Sequence, residues 1–401
     1  MKIARIVQYF QPKYGYADFY LMDRLRRFGH EVCIITSDLY SPGVKVFFPS
    51  IERKTTSGKH YEYGLPVYRL PTLFELGMQP VNFFGFKKIL EDFRPDVVHS
   101  NDLFWPITLL AAHYKRDFGY KLFVDSITGT FNPIGYKRLI FNVFKLVFKR
   151  YLWKNVDKFF AICEGSKRWL SNNFSVPNEF IEVIPLGADM NLFKPNYAIR
   201  QITRENLGLT NDEILLVYSG KILPSKDIDI LIKALALVIF DSSKKIKLLI
   251  IGNGPQEYLS RLKILIETTK VKEKIILIPT VDRELLSNYY NAADIAVWPG
   301  DPSISIIEAM ATGLPVILCH YPFPREDAYD ISHLLKQGNG LTFQRGNHTA
   351  LAVCLKELAE NEKLRKEMGK NSRKLVENEL NWDLIANRYL EAYNQVHVKR
   401  S

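Results

Sequence analysis

The stretch Glu213–Gly254, "EILLVYSGKILPSKDIDILIKALALVIFDSSKKIKLLIIGNG", decides the fold. Its two ends, EILLVYSG (213–220) and IKLLIIGNG (246–254), are short, nearly continuous apolar runs closed by glycine. Runs of that kind read as strands buried on both faces. Between them, DIDILIKALALVIFD (227–241) repeats its apolar residues at helical spacing. A strand, a helix and a second strand in that order make a crossover unit, which joins parallel neighbours in one sheet.

The same cycle extends in both directions. Downstream come PQEYLSRLKILIETT (helix), KIILIPT (strand), RELLSNYYNA (helix) and DIAVWPG (strand), then the turn–helix–strand segment PGDPSISIIEAMATGLPVI, 299–317. Upstream, KIARIVQYF, HEVCIITSD, DVVHS, YKLFVDS and IEVIPLG alternate as strands with helical segments such as YADFYLMDRLRRFG and ITLLAAHYKRDFG. The polar, proline-containing stretch LFKPNYAIRQITRENLGLTND (192–212) separates the two series. A chain of 401 residues exceeds the size at which one core keeps growing. The expected fold class is therefore α/β, with parallel-sheet domains over residues 1–195 and 196–378. Their binding loops face one another across a cleft. The last periodic segment, NWDLIANRYLEAYNQV (381–396), is helical, and its simplest place is as a cap on the second domain.

At 47% apolar and 24% charged residues the chain has the make-up of a folded protein, and no uncharged apolar run approaches 18 residues, so no membrane span is expected. The N-terminal MKIARIVQYFQP starts basic, but Gln11-Pro12 ends its apolar stretch too early for a secretory leader. Cys33, Cys163, Cys319 and Cys354 stand far apart in or beside apolar runs, which reads as free thiols in a reducing compartment and points to a cytoplasmic location. Residues 1–200 hold 28 Lys/Arg against 18 Asp/Glu, and the remainder 26 against 25. A basic half suits nucleic acid, an anionic membrane or phosphorylated substrates. Neither a zinc-finger spacing nor an RNP-like strand supports nucleic acid, so it is not expected as a partner.

Three segments fall at the carboxyl ends of strands, where an open parallel sheet binds ligands: SGKILPSKD (219–227), IGNGP (251–255) and PGDPSISIIEAM (299–310). The first brings Lys221 and Lys226 beside Gly220 and close to a helix start, a combination that suits a diphosphate, although the same lysines also fit a solvated turn. The glycines of GNG, Gly252 among them, permit close backbone approach. Glu257 breaks the Gly-x-Gly-x-x-Gly dinucleotide pattern. Glu308 has two readings, as an acceptor for a ribose diol or as an acid that stabilises the first turn of its helix.

Taken together, these motifs resemble a retaining glycosyltransferase of family 4, with the two-Rossmann-like-domain glycosyltransferase B fold. The resemblance runs along nearly the whole chain: GHEVCIITSD, PDVVHSN, AICEGSKRWL with IEVIPLGADMNLFKP, YSGKILPSKDIDILIKAL, LLIIGNGP and IIEAMATGLPVI stand in the family's order and spacing. It implies a nucleotide-diphosphate sugar of the UDP or GDP type as donor, with its diphosphate at Lys221 and Lys226 and its ribose at Glu308. Backbone amides around Ser305, Ile306 and Ile307 would lie near the phosphate end. It implies no cofactor and no metal, and a terminal helix, residues 379–401 with Trp382, that crosses back onto the first domain.

The sequence departs from the family at several points. Where the family usually has a sugar-contacting glutamate this sequence has Gly300, followed by Asp301: either Asp301 is the replacement, or sugar recognition differs. The N-terminal glycine loop is reduced to Gly15 followed by Tyr16; Gly15 suits a phosphate contact, and Tyr16 adds bulk on the acceptor side. His99 is a candidate catalytic residue at a strand end, with a core histidine as the alternative, and Asn101 and Asp125 are acceptor-side candidates. In the implied mechanism Lys221 and Lys226 stabilise negative charge growing on the leaving diphosphate. The acceptor is a saccharide or a lipid-linked sugar. The segment 136–158, with seven Lys/Arg and one Asp, suggests an anionic membrane surface as a further partner, its basic face running through Arg138, Asn142, Lys145 and Lys149, with a buried helix carrying one solvated stripe as the alternative. The alternative functions are a nucleotide-sugar epimerase and a catalytically silent nucleotide-sugar-binding protein.

Overall fold

The structure, a computed structural model, describes residues 1–11, 17–48, 50–76, 79–81, 84–126, 135–321 and 330–395. The first half contributes β1 (Lys2–Ile6), β2 (Glu31–Ser37), β3 (Gly58–Glu62), β4 (Leu65–Leu70), a small antiparallel pair of β5 (Phe74–Leu76) with β6 (Gln79–Val81), then β7 (Val97–Asn101), β8 (Lys121–Ser126), β9 (Lys158–Ala161) and β10 (Ile181–Val183). Apart from the small pair, these strands form one sheet in the order β10-β9-β8-β7-β1-β2-β4-β3, parallel except where β3 turns back along β4.

The second half contributes β11 (Ile214–Ser219), β12 (Ile246–Ile251), β13 (Ile275–Ile278), β14 (Ile295–Trp298), β15 (Val316–His320) and β16 (Gly340–Gln344). They pair in the order β13-β12-β11-β14-β15-β16, all parallel. β11 is buried along its whole length. Each apolar side chain so removed from water stabilises the fold by about 1.5–3 kcal/mol. The helix Ile228–Asp241 covers it with Ile228, Leu231, Ile232, Leu235 and Val238, the stripe its spacing predicts. From β11 the chain builds outward through β12 and β13, then returns to lay β14 on the other side. The crevice outside the ends of β11 and β14 is thus a topological switch point, where a sheet of this kind takes its ligand. Two Rossmann-like domains facing across a cleft are what the structure contains.

The helix Trp382–Gln395 does not cap the second domain. Trp382, Ile385, Ala386, Tyr389 and Tyr393 join Ile3, Tyr20, Val97 and Phe123 in one buried cluster on a face of the first sheet. The small-residue turn at Gly187 lets it arrive: a Cβ there would stand 2.6 Å from Ile385 and 2.8 Å from the Leu380 carbonyl.

The helix Tyr136–Asn155 also differs from the sequence reading. Phe144 and Phe148 pack toward the core, and Lys145 is half-buried with its ammonium 4.9 Å from the Phe141 ring centroid. Solvent meets Leu139, Ile140, Val143, Leu146 and Val147, flanked by Arg138, Arg150 and Lys154. The outer face is apolar with a basic margin, because the phenylalanines are the residues that fit the core. Among the described residues no helix is long and apolar enough to cross a membrane.

Candidate functional site

A cavity of about 330 Å³ opens at the switch point of the second sheet. Ser219, Gly220 and Lys221 come to it from the end of β11, Ile251 and Gly252 from β12, Thr280 and Val281 from beyond β13, and Ser303, Ile304 and Ser305 from beyond β14. Lys226 and Arg283 complete its polar wall, and Phe47 and Phe48 reach over it from the first domain. The Asn253 amide donates to the Phe47 carbonyl at 3.1 Å, and the Lys221 ammonium stands 4.9 Å from the Phe47 ring centroid. That contact is a cation–π arrangement spanning the cleft.

Lys226 is held rather than free to swing. Its ammonium donates to the carbonyls of Asp301 (2.8 Å) and Pro302 (2.9 Å), which leaves one N–H direction open. Burial lowers its pKa to about 8, against the opposing pull of Asp301. Burial also lowers the pKa of Lys221. Two cations in a desolvated wall, neither paired with a carboxylate among the described residues, form a site that gains from an anion. Ser305 donates to the Ser219 carbonyl at 3.0 Å and hydrogen-bonds Ser303, so hydroxyls line the same wall.

The glycines serve packing between loops. A Cβ at Gly252 would lie 1.9 Å from the Gly220 carbonyl oxygen, and one at Gly254 1.9 Å from that of Ile222. The close approach that GNG permits is therefore made to the neighbouring loop. Gly300 is more telling. A Cβ there would meet the backbone of Ser225 and Lys226 at 2.5 Å. The lysine turn occupies the space that a glutamate side chain at this position would need.

Asp301 does not line the cavity. Its Oδ1 accepts from Arg345 (2.9 Å) and Tyr321 (2.5 Å), and Arg345 also pairs with Asp227 at 2.6 Å and donates to the Ser225 carbonyl. The carboxylate braces the lysine turn from behind instead of reaching toward a sugar. Of Ser305, Ile306 and Ile307, Ser305 lines the cavity; the amides of the other two are bonded to the carbonyls of Ser303 (3.1 Å) and Ile304 (3.0 Å). Glu308 does not itself line the cavity: it is 1% exposed and pairs through Oε1 with Arg283, which does, while its Oε2 has no hydrogen-bond partner among the described residues.

His99 and Asp125 sit inside the first domain, away from this cavity. His99 is wholly buried, with Nδ1 2.6 Å from the Tyr393 hydroxyl and Nε2 2.9 Å from Asp125 Oδ1. Burial and the Arg5 guanidinium lower its pKa. Burial works to raise the Asp125 pKa, but Arg5 and His99 pull it down to about 2. These groups tie the terminal helix to the sheet, so the structure corrects their reading as cleft residues. Asn101 ends β7 half-buried, with an Oδ1 that has no hydrogen-bond partner among the described residues. Gly15 and Tyr16 lie outside the described residues. The sequence reading missed Phe47, Phe48, Arg283 and Arg345. Each reaches the site from another element, and no local spacing marks them.

Residues 19–187 match the glycosyl transferase 4-like domain, and residues 199–375 match glycosyl transferases group 1. The chain belongs to this glycosyltransferase family, family 4 of the glycosyltransferase B fold. It is similar to the D-inositol 3-phosphate glycosyltransferase of Nocardia farcinica, 29% identical over 201 residues that cover 48% of this chain and 43% of that one. The match thus spans less than half the length of that relative. Among solved structures, the sucrose-phosphate synthase of Thermosynechococcus elongatus superposes with a TM-score of 0.74 at 20% identity, covering 98% of both chains. HepE of Anabaena in complex with UDP superposes at 0.76 and 16% identity, over 98% of this chain and 100% of that one. These structures share the fold.

Proposed function

We propose that the protein transfers a sugar from a nucleotide-diphosphate sugar to a saccharide or lipid-linked acceptor, with retention of configuration. The observation that carries this reading is the convergence of Lys221, Lys226 and Ser305 on one cavity at the switch point, beside a buried glutamate with an unpartnered oxygen. The diphosphate sits against the two ammonium groups and the ribose at Glu308. UDP is the first nucleotide to test, because HepE, of the same fold, binds it. As the donor C1–O bond breaks, its electron pair passes to the diphosphate, and the lysines stabilise the charge that develops there. The acceptor oxygen bonds to C1 from the leaving-group side and gives its proton to a phosphate oxygen. With Asp301 turned away and Gly300 bare, the sugar is held by groups other than the family's usual acid.

The apolar stripe of the helix Tyr136–Asn155 supports a lipid-linked acceptor reached at an anionic bilayer. Leu146 is 80% exposed and Leu139 66%, beside Arg138, Arg150 and Lys154. Apolar side chains with a basic margin enter an anionic interface readily. Nucleoside diphosphate release from UDP-, GDP- and ADP-sugars tests the first reading: the account expects one donor class to be consumed, and turnover of none removes it. Vesicle sedimentation at low and high salt tests the second. Leu146→Glu with Val147→Glu should abolish binding to anionic vesicles, and a wild-type protein that ignores them at low salt contradicts it.

A further inference from the structure

Arg283 opens the helix Arg283–Ala292, behind Asp282, whose carboxylate accepts from the Leu285 amide at 2.8 Å. Its guanidinium lies over the Phe193 ring, 5.0 Å from the centroid, and beside the Tyr20 hydroxyl. Phe193 and Tyr20 are both buried, and Tyr20 belongs to the first domain. The planar fork is thus fixed from two sides, at the edge of the cavity it lines. One of its nitrogens pairs with Glu308 Oε1, and Glu308 Oε2 is buried with no hydrogen-bond partner among the described residues.

We propose that Arg283 is a positioning residue for the ribose site: it holds Oε1 of Glu308 and leaves Oε2 as the acceptor for a ribose hydroxyl. The inference rests on the reading of Glu308 as the ribose contact. A buried carboxylate with no cation beside it is unfavourable and has no fixed direction, whereas a guanidinium fixed against it keeps it ionised and in place. Selection of ribose over 2′-deoxyribose is then set by Arg283 as well as by Glu308. Because Tyr20 stands beside the guanidinium, that selection also depends on the two domains being seated together.

The test is calorimetry with three probe pairs, UDP, GDP and ADP, each beside its 2′-deoxy form. The proteins are the full chain and its Arg283→Met, Arg283→Lys, Tyr20→Phe and Glu308→Gln variants. The wild type should prefer one ribonucleotide over its deoxy form by about tenfold or more, the size expected for a hydrogen bond to a charged group. Arg283→Met should bring that ratio close to one, mainly by weakening the ribonucleotide, and Arg283→Lys should restore part of it. Tyr20→Phe, which keeps the ring, should lower the ratio by a smaller factor. If Arg283→Met does not fold, the Arg283→Lys ratio decides, and a value equal to wild type overturns the inference. A purely structural role would weaken both members of a pair equally and leave the ratio intact, which also overturns it. If Glu308→Gln collapses the ratio while Arg283→Met preserves it, this inference falls and the ribose reading stands. If Glu308→Gln leaves the ratio unchanged, or the wild type binds none of the three pairs, both fall.

Discussion

Tyr20, on the first helix of the chain, stacks on Trp382, at the start of the last, with ring centroids 5.7 Å apart and planes 13° from parallel. Both rings are buried. The stack fastens the terminal helix to the first domain although the chain has just left the second. Trp382→Ala should destabilise the protein by about 3–5 kcal/mol, the range for a large aromatic truncated in a core. Trp382→Phe should lose much less. Denaturant unfolding measures both, and an alanine variant as stable as wild type would remove the helix from the first core.

Lys226 supplies a pH dependence with a definite sign. Its pKa, about 8, lies below the ordinary lysine value because it is buried. The charged form binds a diphosphate, so nucleotide affinity should hold at pH 7 and fall as pH rises through 8, approaching tenfold per pH unit. Lys226→Met should bind more weakly at pH 7 and lose that step, with turnover down by about a hundredfold or more. Calorimetry from pH 6.5 to 9.5 measures it, and a flat wild-type profile contradicts the assignment.

Gly300→Ala should damage the site without touching a ligand. Its Cβ would overlap the Ser225–Lys226 backbone, so the lysine turn must move. A loss of about 1–3 kcal/mol in stability is expected for such overpacking, with weaker nucleotide binding. Thermal unfolding and calorimetry on the same sample check this. An alanine variant equal to wild type in both shows that the turn has room.

Asp125 ties Arg5 to His99 inside the first domain. Its pKa is depressed to about 2, so its ionised form stabilises the fold above the unfolded carboxylate value, and that contribution is lost as pH falls from about 4 toward 2. Asp125→Asn leaves buried Arg5 with one carboxylate partner fewer, and breaking such a pair costs about 3–5 kcal/mol at neutral pH. The gap between variant and wild type should shrink below pH 4. Urea unfolding across that range tests it, and a gap that stays constant contradicts the depressed value.

The fold was legible because its strands are buried on both faces. ILLVYS and IKLLII are so apolar, and so regularly separated by helices, that little besides a parallel sheet accommodates them. The lysines were legible for the same reason, since strand ends are where such sheets bind. Contacts made across distance in the chain were not. No spacing places Phe47 over Lys221, Arg283 on Glu308 or Arg345 on Asp301. His99 stands at a strand end, as a catalytic group would, yet the terminal helix covers it with Tyr389 and Tyr393. A residue's place along its own strand does not reveal what another element lays over it. The outward face of the helix Tyr136–Asn155 was misjudged because its phenylalanines and its smaller aliphatic residues repeat at the same spacing. Core shape chose between them.

The central claim is that the cavity lined by Lys221, Lys226 and Arg283, with Glu308 buried against Arg283, binds a nucleotide-diphosphate sugar. The most direct measurement is calorimetric titration of the wild type and of the Lys221→Ala, Lys226→Met and Glu308→Gln variants with UDP-, GDP- and ADP-glucose. The account predicts that the wild type binds one of these nucleotide classes and that each variant loses about tenfold or more in affinity, consistent with removal of a charge-assisted contact. Absence of binding to all three donors, or binding that all three substitutions leave unchanged, would contradict it.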